Sequence, residues 1–94
     1  MPEPVPEISA SGITASGITI VGQPVCHLCE DARAVVDAVV AELGGGVPVA
    51  ELSILDDPVL HERYWDEIPV VLIDDRVHTI WRVDPQRLRA ALTA

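Results

Sequence analysis

A chain of 94 residues supports one domain with one modest core. Hydrophobic residues make up 49%, which suits a folded globule, yet no apolar run approaches the roughly 18 residues of a membrane span. The formal charge is −9, from 15 acids, six Arg and no Lys, so little is available to displace counterions from nucleic acid or to hold an anionic membrane surface. The opening MPEPVPEIS has neither a basic region nor an apolar core, so no signal peptide is expected and the expected location is cytoplasmic. Residues 1–16 are expected to form a flexible tail, because PEPVPE is rich in Pro and Glu. Residues 17–94 are then the folded domain. Ser11-Gly12-Ile13-Thr14 is echoed as Ser16-Gly17-Ile18-Thr19, which either offers the first strand two registers or is a coincidence.

The pattern GITIVG predicts a short β-branched strand over residues 17–22. A helix is predicted over 26–43, because Leu28, Ala32, Val35, Val36, Val39 and Leu43 share one face at roughly 100° per residue. Gly44, Gly45 and Gly46 stop it. VPVAELSI, 47–54, reads as a second strand. Asp57 as cap and Pro58 as first residue open a short helix that carries Leu60 and Tyr64 inward and ends before Pro69. PVVLI (69–73) and RVHTIW (76–81) read as a hairpin across Asp74 and Asp75. Asp84 and Pro85 open the last helix, with Val83 and Leu88 at staple spacing and Leu92 inward. Strand–helix–strand units imply parallel pairing, and the hairpin adds antiparallel strands. The expected architecture is therefore α/β, in the order βαβαββα, with a mixed four-stranded sheet and helices on its faces. With no Phe in the chain, Tyr64, Trp65 and Trp81 are expected as packing groups. His61 and His78 are expected as ordinary surface or strand residues.

Both cysteines, Cys26 and Cys29, lie two residues apart where the first strand ends and the main helix begins. With the inward face centred near Val39, Cys29 falls roughly 60–80° from the centre, at the edge of the core, and Cys26 roughly 140° away, toward water, on the first turn or at its cap. A thiol exchange enzyme needs this division between an exposed attacking sulfur and a sheltered resolving one. A helix N-terminus lowers a thiol's pKa from about 8.5 into the range of about 3.5–7.5. His27 favours the thiolate when cationic, whereas Glu30 and Asp31 oppose it, so a modest depression is expected for Cys26. The competing readings are half of a zinc site, completed by a second copy of the chain, a metal or iron–sulfur carrier, a vestigial or merely structural pair, and a fold kept as an interaction domain without the activity.

The segments CHLCEDA, HERYWDEIPVVLIDD and VDPQRLRAAL resemble the glutaredoxin-like branch of the thioredoxin superfamily, most of all its small proteins with C-x-L-C and Y…IPV motifs. The resemblance spans residues 17–92. It implies a thioredoxin-like fold with helices on both faces of the sheet. It implies a thiol–disulfide oxidoreductase in which Cys26 is the nucleophile and Cys29 the resolving thiol. It further implies that Pro69 is cis and that Ile68 offers backbone groups to the substrate, so Ile68, Pro69 and His27 form the expected substrate-binding set. No metal and no tightly bound cofactor are expected. Glutathione is a candidate co-substrate, the partners are protein or low-molecular-weight disulfides, and the chain is expected to act as a monomer. Dithiol relatives usually carry a Lys just before the first Cys and a Gly-Gly-x-Asp motif after the hairpin. Here those places hold Gln23 and Pro24, and TIWRVDPQRL with Asp84 near the helix start. Arg63, Arg76 and Arg82 are the downstream candidates to meet glutathione's carboxylates.

Overall fold

In the computed structural model, residues 12–93 are described. Ile18–Gly22 form β1, in which Ile18 and Ile20 point to one face and Val21 to the other, all three buried. A strand apolar on both faces requires cover on both faces. Helix α1 (His27–Glu42) and helix α3 (Pro85–Leu92) cover the first, through Val36, Val39, Leu88 and Leu92 packed on Ile18, Ile20 and Val71. Helix α2 (Pro58–Tyr64) covers the second, with Tyr64 buried beside Val21, Ile54 and Val70. Each fully buried Val or Leu here contributes about 1.5–3 kcal/mol.

The sheet order is β2 (Val49–Ser53), β1, β3 (Val70–Ile73), β4 (Arg76–Ile80). β1 runs parallel to β2, from Ile18 opposite Val49 to Gly22 opposite Ser53. It runs antiparallel to β3, which in turn pairs antiparallel with β4. This is the mixed four-stranded sheet expected from the sequence. Pro48, Pro69 and Trp81 fall outside the strands predicted to contain them.

The helix ends follow the sequence signals. Asp57 accepts from Val59 N–H and Asp84 from Gln86 N–H, both at 2.9 Å, with Pro in the first turn of each helix. α1 closes in a Schellman arrangement: Gly44 N–H donates to Ala41 O at 3.1 Å and Gly45 N–H to Val40 O at 2.8 Å. Arg89 makes a bidentate pair with Glu42, at 2.6 and 3.0 Å, and ties α3 to the end of α1. Those hydrogen bonds hold the Glu42 carboxyl below its usual range.

Of the stretch expected as a tail, residues 1–11 lie outside the described residues. Ile13 and Ala15 pack against the main core cluster, and Thr14 N–H donates to Leu92 O at 2.7 Å at the end of α3. The second copy of the Ser-Gly-Ile-Thr echo thus forms β1, while the first supplies a core-rim contact. The hairpin turn locks this start. Asp74 and Asp75 both have positive φ, 51° and 68°, as a two-residue I′ turn requires. Asp74 Oδ1 accepts from Ser16 N–H at 2.8 Å and Gly17 N–H at 3.0 Å.

Two residues differ from expectation. Trp65 and Trp81 are 59% and 53% exposed, whereas Tyr64 is 7% exposed, so the aliphatic residues and Tyr64 alone fill the core. Trp65 caps α2 at its exposed end and Trp81 has left β4. His78 is the extra residue of a β-bulge, because Val71 pairs with Thr79 but Leu72 with Val77. Its Nε2 is buried without a hydrogen-bond partner among the described residues. Burial, and secondarily the charge of Arg87, pushes its pKa below the usual histidine value. The unfolded chain therefore binds this proton more readily than the folded one, so stability is complete above about pH 6.5 and declines as pH falls below it. His78→Gln removes that contribution. Its melting temperature is expected to fall less than the parent's between about pH 7 and pH 5. Parallel curves for the two proteins contradict this.

Candidate functional site

The site forms where β1 hands over to α1. Residues 23–25 make a short bend, and Cys26 is the N-cap of α1 with extended backbone, φ −161°. Its Sγ accepts the Cys29 N–H at 3.1 Å, the bond an N-cap Ser or Asp oxygen usually receives. Its carbonyl accepts the first helical bond, from Glu30 N–H, at 3.1 Å. Cys26 and Cys29 are joined by a disulfide, with Cα atoms 5.2 Å apart. Both are half-buried. Cys26 is thus less exposed than its helical angle implies, since capping turns its sulfur back over the first turn. His27 is exposed at the first helical position.

Gly22 lets the helix come this close. A Cβ added there would stand 2.8 Å from Cys29 Sγ, nearer than side chains tolerate, and a tight 3.3 Å from its Cβ. The register then carries a row across this end of the sheet. Gly22 lies opposite Ser53 on one side. One residue beyond the Val21–Val70 pair, it lies beside Pro69 on the other. One residue beyond the Val70–Ile80 pair, Pro69 lies beside Trp81, whose N–H donates to Pro69 O at 2.8 Å. At about 4.8 Å per strand, Trp81 stands two spacings from Gly22. The Ile68–Pro69 bond is cis, Pro69 is fully buried, and Ile68 packs against the second core cluster.

Trp81 makes a tight turn of the rare positive-φ form: its φ is 67°, and Arg82 N–H donates to Ile80 O at 2.8 Å. For a bulky residue that conformation costs of order 1–3 kcal/mol. The indole Nε1–H donates to Asp66 O at 3.1 Å. Of the three arginines proposed for carboxylates, Arg82 follows Trp81 at this end and Arg63 lies in the last turn of α2, over the Tyr64 ring. Arg76 is misplaced by that proposal: it pairs with Ile73 at the hairpin, where β1 begins, about 13 Å along the strand from Gly22. Asp84 is committed to capping α3.

A cleft of about 550 Å³ runs from Cys29 between α1 and the edge strand β2. Glu30, Asp37, Glu51 and Asp56 line it, with Arg33 bonded to both Asp37 and Glu51. Among the described residues, no group of three or more His, Cys, Asp or Glu is placed to hold a metal ion. No helix among them is long and apolar enough to cross a membrane.

This sheet, with helices on both faces and the dithiol at a helix N-terminus beside a cis-proline row, defines a thioredoxin-like protein. The pattern of the Glutaredoxin-like domain (DUF836) matches residues 17–93, and the chain belongs to that family. Uncharacterized proteins of Mycobacterium tuberculosis (strain H37Rv) and Mycobacterium bovis are 32% identical over 68 residues, 69% of this chain and 70% of theirs. The X-ray structure of a structural-genomics target from X. campestris superposes with a TM-score of 0.66 at 28% identity, over 81% of this chain and 95% of that one. The solution structure of a Nitrosomonas europaea protein gives 0.71 at 21% identity, over 85% and 94%, and is a likeness of fold.

Sequence reasoning overlooked Gly22, Asp66 and Trp81. A glycine ending a β-branched strand just before the cysteines was a usable signal of close backbone approach. Nothing local marks a tryptophan for positive φ. Gly22→Ala is expected to destabilise the oxidised protein by about 1–3 kcal/mol, since the sulfur it meets is tied in a disulfide. A denaturant midpoint equal to the parent's would show that α1 can withdraw at no cost.

Proposed function

We propose that the protein is a thiol–disulfide oxidoreductase working through Cys26 and Cys29. The observation that carries this reading is Cys26 as N-cap: in the oxidised pair its sulfur receives the Cys29 N–H at the positive end of α1, a position that offers an attacking sulfur a backbone donor and the helix dipole. The Cys26 thiolate attacks one sulfur of a substrate disulfide, forms a mixed disulfide and releases the other substrate sulfur as thiolate. The Cys29 thiolate then attacks the Cys26 sulfur. The second substrate thiolate leaves, the Cys26–Cys29 disulfide closes, and two electrons have passed to the substrate. In the closed pair the Cα atoms are 5.2 Å apart, within the ordinary disulfide range.

Ile68, before the cis bond, presents backbone groups to the substrate, Pro69 shapes the floor beside the sulfurs, and His27 lines the approach. The substrates are protein or low-molecular-weight disulfides. The oxidised pair is returned by a thiol donor, for which glutathione is the candidate co-substrate. No tightly bound cofactor is required, and a monomer in a reducing, cytoplasmic setting suffices.

Cys26→Ser is expected to abolish exchange, to below about one thousandth of the parent rate, because no nucleophile remains. Cys29→Ser is expected to accumulate mixed disulfides on Cys26, visible by intact mass and removed by reductant. Undiminished turnover in both variants contradicts the proposal.

A further inference from the structure

The turn after β4 has no role in that thiol chemistry, and core packing does not account for it either. Trp81 holds a left-handed backbone that glycine adopts freely, yet its ring stays half-exposed, so burial does not offset the conformation. Both of its polar anchors reach the segment that carries Ile68 and Pro69. Its backbone N–H is on Pro69 O and its indole N–H on Asp66 O, on either side of the cis bond. The indole is therefore held in place at the end of the sheet where Cys29 lies over Gly22. Val25, 89% exposed, adds a second apolar group there, immediately before Cys26. An anchored, exposed aromatic ring binds apolar side chains with little further ordering cost. The chain's charge of −9 favours an uncharged or apolar neighbour over an acidic one on a peptide substrate, and Arg82 follows Trp81 directly in this turn.

We propose that Trp81 is a specificity-determining contact of the dithiol site, and that the substrate class it selects is a peptide or protein disulfide with an apolar residue beside the reacting cysteine. This rests on Cys26 being the attacking thiol. The step tested is single: Cys26 thiolate attacks the cysteine sulfur of a peptide activated as its mixed disulfide with thionitrobenzoate. The Cys26–peptide disulfide forms and coloured thionitrobenzoate leaves as the lower-pKa thiolate.

The experiment uses the full chain carrying Cys29→Ser, so that each reaction stops at the mixed disulfide. Second-order rates are compared for two uncharged peptides that differ only in Leu or Gln beside the cysteine. The Leu peptide is expected to react about tenfold faster, corresponding to about 1.4 kcal/mol. Adding Trp81→Gly is expected to reduce that ratio to below about twofold, whereas Trp81→Phe, which keeps a ring, retains most of it. A merely structural role for Trp81 would slow both peptides together and leave the ratio intact. The inference is overturned by a parent that does not distinguish the peptides, or by a preference that survives Trp81→Gly. Release from neither peptide would overturn the reading of Cys26 itself, and this inference with it.

Discussion

The constraint on which the site depends is the contact between the first turn of α1 and the last residue of β1. Gly22 has no side chain, and the Cys29 sulfur occupies the space that a Cβ would need. This contact sets the height of the helix N-terminus above the sheet. Cys26 caps that helix, and its sulfur receives the Cys29 N–H. The helix beyond follows from its apolar face: Ala32, Val36 and Val39 are buried on the same side as Ile18 and Ile20. Packing thus brings the helix down, and the glycine decides how far.

The sheet does the rest by register. β1 is paired on both sides, so the residue that supports the disulfide is also the one that aligns Ser53, Pro69 and Trp81 with it. The opposite end of β1 is fixed independently. There Asp74 accepts two amide N–H groups from Ser16 and Gly17. Because side chains alternate between faces, a slip of one residue would bury the wrong set, so the clamp at one end also protects the row at the other.

Much of this was legible in the sequence. The element order, the mixed sheet, the two Asp-Pro helix starts and the glycine stop of α1 all follow from local chemistry that tertiary structure did not overrule. The dithiol was legible too, since its spacing and its place after a strand carry the redox meaning. The cis bond at Pro69 came from family resemblance alone. Exposure was read less well. The cap position was open to Cys26 in the sequence, but the helical angle put its sulfur toward water, whereas the capping side chain folds back and is half-buried. A chain without Phe was expected to need its tryptophans inside, but Val, Ile and Leu fill both faces of the sheet and leave Trp65 and Trp81 outside. The bulge at His78 and the left-handed turn at Trp81 depend on long-range pairing that no local pattern encodes.

The central claim is that the Cys26–Cys29 pair is poised for exchange rather than locked as a structural cross-link. The direct measurement is its reduction potential, read by equilibrating the protein with glutathione redox buffers. In the oxidised pair the Cys26 sulfur already accepts an amide N–H, and such a donor binds a charged sulfur more strongly than a neutral disulfide sulfur, which is the physical ground for expecting a poised pair. A value of about −200 to −230 mV, the glutaredoxin range, is predicted. A value below about −300 mV would place the disulfide beyond the reach of the glutathione pool and contradict the account.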